Sequence, residues 1–124
     1  MNKIFYAILL FILFDTSTQN IMGTESRSDI FINRLNINEV KQNIELSEAV
    51  NDSVFILLND ETDNLINALK KNKDKRDFIL KEIENPISDS YHIMELIDKV
   101  KQCEFSFVRK KVLRSLQEAR NKYN

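Results

Sequence analysis

The stretch from Val40 to Leu69 constrains the fold most, because its apolar residues recur at helical spacing and neither Pro nor Gly interrupts it. The apolar positions follow helical periodicity and would share one side of a helix: Val40, Ile44, Val50, Val54, Leu57, Leu58, Leu65, Ala68 and Leu69. A helix of this length is not stable alone, so other helices or a second copy of the chain must cover its stripe. The sequence therefore predicts one long central helix, with Asn59 and Asp60 as residues that could interrupt it.

The composition favours an all-α fold. The 124 residues include one Gly, one Pro and no Trp, whereas a β-rich fold needs more turn-forming residues. The ~100 residues that follow the N-terminal segment suffice for one small domain with a modest core. We expect a small antiparallel bundle of three to four helices, including the long central helix, as a single domain over residues 24–124.

The N-terminal segment, residues 1–23, has the layout of a secretory signal. Lys3 precedes an unbroken apolar run, Ile4 to Phe14, and small polar residues follow it. At ~1.5 Å per residue the run is too short to span a ~30 Å hydrocarbon layer. We therefore expect an exported protein, located in the periplasm, at the cell surface or secreted. The alternative is an uncleaved N-terminal helix that packs in the bundle or lies in the membrane interface.

Weaker patterns predict the remaining elements. Ser28 or Asp29 could cap a short helix that ends near Leu35. A third helix should end before the Asn85-Pro86 pair, because Pro disfavours helical geometry in the preceding residue. The apolar stripe that begins at Ile93 is crowded at residues 105–108, which indicates a kink or break there. The basic run at residues 70–76 is interpreted as a solvated connection.

Charge is unevenly distributed along the chain. Residues 39–63 carry seven acids against Lys41, whereas residues 109–124 carry six bases against Glu118. We expect the acidic and basic helices to face each other, or to pack on alternating neighbours. Alternatively, the basic helix contacts a membrane surface or an acidic partner. Nucleic-acid binding is disfavoured, because the basic stretch has few aromatic residues to stack on bases.

The chain offers little catalytic or cofactor chemistry. Its one His, His92, lies eleven residues before its one Cys, Cys103, a separation of ~16 Å on a continuous helix. A zinc site would need further His or Cys ligands, and a single Gly cannot build a phosphate-binding loop. We therefore expect no enzyme activity, no cofactor and no metal. Cys103 is interpreted as a small buried residue, with an intermolecular disulfide as the alternative.

Residues 35–86 carry a resemblance to a known family, over the sequence LNINEVKQNIELSEAVNDSVFILLNDETDNLINALKKNKDKRDFILKEIENP. In size and helical pattern the chain resembles the small prophage-encoded proteins of Borrelia, in particular the haemolysin or holin accessory protein family, BlyB. That resemblance implies a soluble partner of a small membrane-inserting holin within a lysis system, with no catalytic residues. The signal-like N-terminus departs from this pattern.

These observations lead to two functional hypotheses. The first is a non-enzymatic accessory protein that stabilises a small membrane-active, holin- or haemolysin-like partner by helix packing. The second is a secreted or surface-exposed helical protein that binds a host or envelope component. The candidate interaction face combines apolar residues of the central helix with the basic C-terminal helix: Val54, Leu58, Leu65, Arg109, Lys110 and Arg114.

Overall fold

A computed structural model describes residues 25–88 and 91–123, and every regular element in these ranges is an α-helix. The seven helices are α1 (Arg27–Arg34), α2 (Ile37–Lys41), α3 (Ile44–Asp60), α4 (Thr62–Lys71), α5 (Lys73–Glu84), α6 (Ile93–Lys101) and α7 (Phe107–Tyr123). The all-α prediction is confirmed. The count of three to four helices is wrong, because two of the expected helices, the central one and the last one, are divided.

The predicted long central helix is the main correction. Residues 40–69 form the end of α2, all of α3 and most of α4, with breaks at residues 42–43 and at Glu61. Glu61 has φ −148° and ψ 61°, which is not helical, and its backbone N–H closes α3 by donating to Leu57 O at 2.8 Å. The expected interruption at Asn59 or Asp60 therefore falls one residue later.

Long-range contacts fix the break at Glu61. Its carboxylate accepts hydrogen bonds from Arg27 Nε at 2.8 Å, from the Ser28 backbone N at 2.8 Å and from Ser28 Oγ at 2.7 Å. These bonds tie α1 to the α3–α4 junction. Ser28 is completely buried and does not cap α1, contrary to expectation. Ser26 is the cap instead, in a capping box with Asp29.

The basic run at residues 70–76 does more than connect helices. Lys75 Nζ donates to the carbonyl oxygens of Ile32 and Asn33, at 2.6 and 3.1 Å, where α1 ends. Arg76 donates to Leu69 O at 3.0 Å and to Lys70 O at 3.2 Å, in the last turn of α4. These cations satisfy carbonyls that a helix terminus leaves without partners. Most of the run is exposed, as expected of a solvated connection, whereas Lys75 and Arg76 have structural roles that this interpretation missed.

Helix α4 holds the most central position in the core, because it packs on α1, α3, α5, α6 and α7. Its inner side consists of Leu65, Ile66, Ala68 and Leu69, each at most 3% exposed. Helix α7 packs chiefly on α5 and α6. The basic C-terminal helix thus has α5 and α6 as its main neighbours, and the acidic α3 packs on α2, α4, α5 and α6.

Two predicted breaks are confirmed. Helix α5 ends at Glu84, directly before Asn85 and Pro86, and residues 102–106 separate α6 from α7. The signal-like segment lies outside the described residues. Within the described ranges, no helix has the length and apolar character needed to cross a bilayer.

Candidate interaction site

The structure divides the predicted interaction face into two groups. Val54, Leu58 and Leu65 are each 0% exposed and belong to the hydrophobic core. They pack against the chain's own helices, so the closed bundle offers none of them to a partner. Their periodic spacing therefore reflects packing inside the bundle. The prediction that these three apolar residues form part of an interaction face is wrong.

The three basic residues all lie on α7, in different surroundings. Arg109 is half-buried and donates to Val100 O at 3.1 Å and to Lys101 O at 2.9 Å, so it holds the end of α6. Lys110 is exposed. Arg114 is also exposed and borders a groove of about 540 Å³ between α5 and α7, whose rim mixes acids and bases.

An apolar cleft on the outer side of α3 is a better candidate for partner binding. It has a volume of about 220 Å³ and is lined by Phe55, Ile56, Asn59, Asp60, Tyr91, His92 and Leu96. Phe55 and Leu96 are almost completely buried and form its floor, while Ile56 and Tyr91 are half-buried. The cleft therefore presents apolar surface within a polar rim, as binding grooves for helices do.

Tyr91 is fixed by two contacts with α3. Its ring stacks on Phe55 with centroids 4.2 Å apart and an interplanar angle of 12°. Its hydroxyl donates a hydrogen bond to Asp52 Oδ1. Burial, and then the bonded Asp52 carboxylate, raise the pKa of the phenol, so Tyr91 stays a neutral donor. This wall of the cleft is preorganised.

Asn51, the residue before Asp52, bonds to the end of α5 and to the chain that directly follows it. It is 2% exposed, and its Nδ2 donates to Glu82 O, Glu82 Oε1 and Asn85 O at 3.0–3.1 Å. Its Oδ1 accepts from the Ile87 backbone N at 3.1 Å. Burial raises the pKa of the Glu82 carboxyl, and the bond from Asn51 partly opposes that rise. The buried amide thus connects α3 with the end of α5 and with Ile87.

The outer face of α3 carries an acidic stripe beside the cleft. We define the stripe as Glu45, Glu48, Asp52 and Asp60, all of them exposed or half-buried. At 3.6 residues per turn these positions share one side of the helix with Ile56 and Asn59. A partner that fills the cleft would therefore meet apolar side chains at the centre and carboxylates along one border.

Lys99 joins the two helices that border the cleft, although it does not line the cleft itself. Its Nζ donates to Asn59 O at 2.9 Å and to Asn59 Oδ1 at 2.7 Å, which joins α6 to the last turn of α3. Helix α6 and the residues just before it are thus linked to α3 by Lys99 and by Tyr91. A binding surface built on linked helices loses little conformational entropy when a partner docks.

His92 and Cys103, the two side chains considered above for catalysis, lie in different clefts. His92 borders the cleft at the start of α6, whereas Cys103 follows the end of α6 and lines a separate polar cleft of about 480 Å³. Burial, followed by the neighbouring Asp63, raises the pKa of the Cys103 thiol to about 12, although Arg109 opposes the shift. Among residues 25–88 and 91–123, no group of His, Cys, Asp or Glu side chains is arranged to hold a metal ion. Cys103 is half-buried and packs against the core, so it is less buried than expected, and the intermolecular disulfide stays an alternative.

Comparisons with protein-family models, curated proteins and solved structures find no match to the chain. The resemblance to the haemolysin or holin accessory family therefore stays a prediction.

Sequence reasoning missed Ile56 and Tyr91 as surface residues of a site. The available signal was Ile56, an apolar residue outside the core stripe of its own helix. Tyr91 carried no comparable signal, because its contacts with Asp52 and Phe55 join residues that lie far apart in the chain.

Proposed function

We propose that the protein is a non-enzymatic accessory protein that stabilises a small membrane-active, holin- or haemolysin-like partner by helix packing. The partner helix would lie in the cleft between α3 and α6. The observation that carries this proposal is the pairing of an apolar cleft with the acidic stripe on the same outer surface.

The chemistry of the partner follows from that pairing. Membrane-active amphipathic helices have an apolar face and a polar face rich in Lys and Arg. The apolar face would cover Phe55, Ile56 and Leu96, while the cations would lie beside Glu48 and Asp60. Burial of the partner's apolar side chains would supply most of the affinity, at about 1.5–3 kcal/mol for each partner side chain that becomes fully buried. The carboxylates would favour cationic over anionic helices.

This arrangement also explains how a partner could be stabilised without unfolding the bundle. The core residues Val54, Leu58 and Leu65 keep their internal contacts, and only the outer side of α3 contributes to the interface. An amphipathic peptide exposes its apolar face when it leaves a membrane. Covering that face in the cleft would keep the peptide soluble until it inserts.

A binding measurement tests the proposal. The probe is a fluorescein-labelled amphipathic peptide of Leu and Lys, ~18 residues or five helical turns long, and the reference is its Leu and Glu counterpart. Fluorescence anisotropy of the full chain should show saturable binding of the Leu/Lys peptide and much weaker binding of the Leu/Glu peptide. Equal binding of both peptides, or of neither, would contradict the proposal.

Charge-reversal variants locate the interface. Glu48→Lys with Asp60→Lys should weaken binding of the Leu/Lys peptide by roughly five- to twentyfold, because exposed ion pairs contribute up to ~1 kcal/mol each. The matched control, Glu39→Lys with Glu118→Lys, makes the same charge change at exposed positions on α2 and α7. An equal loss of affinity in both double variants would show that peptide binding depends only on the net charge of the protein.

A further inference from the structure

The junction of α6 and α7 exposes two large aromatic side chains that the bundle does not use. Phe105 is 77% exposed and Phe107 is 69% exposed, although Val108 beside them is 5% exposed and packs in the core. Neither ring lines any of the three clefts described above. Two exposed rings two residues apart are costly in water, and such patches commonly mark a contact surface.

The backbone that carries these rings is held in place. Ser106 Oγ accepts from the Arg109 backbone N at 3.0 Å and so caps the first turn of α7. Arg109 donates in turn to the last carbonyls of α6, at Val100 and Lys101. The turn is thus tied to both helices, and its two exposed rings lie at this fixed corner of the molecule.

A cationic side chain lies beside each of the two rings. The Arg109 guanidinium lies 5.7 Å from the Phe105 centroid, and Lys111 Nζ lies 4.9 Å from the Phe107 centroid. Residues 101–114 contain five bases and one acid, a net charge of +4, in a chain whose overall charge is −1. The acid is Glu104, and Asp63 of α4 adds a second carboxylate beside Cys103. The corner stays clearly positive after both are counted.

We propose that this aromatic–basic corner docks the bundle on an anionic lipid bilayer. Phe105 and Phe107 enter the boundary between headgroups and acyl chains, while Lys101, Lys110 and Lys111 contact the headgroups. Two exposed rings with bases beside them match the chemistry of an anionic bilayer, which has negative headgroups above an apolar interior. The proposal does not depend on peptide binding, because the corner shares no residue with the α3–α6 cleft.

Tryptophan fluorescence tests this directly, because the natural chain contains no Trp. Phe105→Trp and Phe107→Trp are each made in the full chain. The matched control is Ile44→Trp, at a site that is 78% exposed at the start of α3. The probes are vesicles of phosphatidylglycerol mixed with phosphatidylcholine, vesicles of phosphatidylcholine alone, and the same lipids with brominated chains. Circular dichroism checks the fold of every variant.

The expected result is a shift to shorter wavelength, with quenching by brominated chains, for Trp at 105 and 107 in anionic vesicles. Trp at position 44 should show neither change. Lys110→Glu with Lys111→Glu should weaken partitioning more than tenfold, since each base near an anionic surface strengthens binding roughly fivefold. Raised salt should weaken it as well.

Three outcomes would overturn the proposal. The first is that Phe105→Trp and Phe107→Trp stay solvent-exposed while the protein is bound, which would place the contact elsewhere on the chain. The second is equal insertion into neutral vesicles with no effect of the lysine reversals. The third is absence of vesicle binding, which would favour an acidic protein as the partner that binds this corner. Glu48→Lys with Asp60→Lys should not reduce partitioning, so failure here is distinguishable from failure of the cleft proposal.

Discussion

Ser28 and Glu61, thirty-three residues apart, are joined by two hydrogen bonds, from the Ser28 backbone N at 2.8 Å and its hydroxyl at 2.7 Å to one carboxylate oxygen. The other oxygen accepts from Arg27 Nε, in an ion pair whose side chains are 15% and 11% exposed. This carboxylate joins α1 to the residue that separates α3 from α4. The division of the central helix therefore depends on a tertiary contact.

Replacement of Glu61 tests that dependence. Glu61→Ala leaves the buried Ser28 amide and hydroxyl without their acceptor, and unfolding free energy should fall by about 2–4 kcal/mol, since bonds to charged groups contribute ~1.5–3 kcal/mol each. Asn64→Ala, at an exposed position of α4, is the control and should change stability by no more than ~0.5 kcal/mol. Urea denaturation measures both variants. Equal effects would show that the Glu61 contacts do not stabilise the fold.

Substitution within the core tests the assignment of the apolar stripe. Val54→Asp places an unpaired carboxylate at a position with 0% exposure, so the bundle should unfold or melt far below the parent. Lys73→Asp changes an exposed residue in the first turn of α5, where an acid interacts favourably with the helix dipole. It should leave the melting temperature almost unchanged. Thermal melts followed by circular dichroism provide the comparison. A parent-like melt of Val54→Asp would mean that α3 does not pack as described.

The Tyr91 wall gives a spectroscopic prediction. Of the three tyrosines in the chain, Tyr91 should ionise at higher pH than an ordinary phenol, because burial and the Asp52 carboxylate both raise its pKa. Ultraviolet titration of the parent should show this late step, and Tyr91→Phe should lack it. Tyr91→Phe should also cost about 1 kcal/mol for the lost hydrogen bond, while the ring keeps its stacking on Phe55. Persistence of the late step in Tyr91→Phe would assign it to another residue.

The Glu82 carboxyl makes stability depend on pH. Its folded-state pKa is raised above the usual 4.5 by burial, so the native state holds this proton more tightly than the unfolded state. The contribution of Glu82 is therefore favourable at low pH and is lost as pH rises through the folded-state pKa. Glu82→Gln removes the cost of a buried carboxylate and retains an oxygen to accept from Asn51 Nδ2. The variant should be more stable than the parent at about pH 7, and the difference should shrink toward about pH 4. A difference that grows on acidification would contradict this sign.

The sequence predicts the local elements of this fold better than its junctions. Helical spacing, Pro86 and the crowded apolar phase near Phe105 are local signals, and each is matched by a helix or a break in the structure. The break at Glu61 depends on Ser28, and the role of Lys75 depends on carbonyls more than forty residues away. Such distant partners leave no periodic trace in the sequence.

The candidate site shows a second limit of sequence reasoning. An amphipathic stripe has the same spacing whether it packs inside its own chain or against a partner, so Val54, Leu58 and Leu65 were assigned to an interface although they lie in the core. Ile56 and Phe107, which fall outside the core stripes, reach the surface. Apolar residues out of phase with a helix's buried side are thus the better signal for a contact surface.

The central claim is that a cationic amphipathic helix binds in the cleft between α3 and α6. The most direct measurement is a nuclear magnetic resonance titration of the isotope-labelled full chain with the Leu/Lys peptide, following backbone amide shifts. The predicted result is a set of saturable shifts concentrated at residues 52–60 and 91–96. Shifts centred on the groove between α5 and α7, or spread over all acidic surfaces without saturation, would contradict the claim.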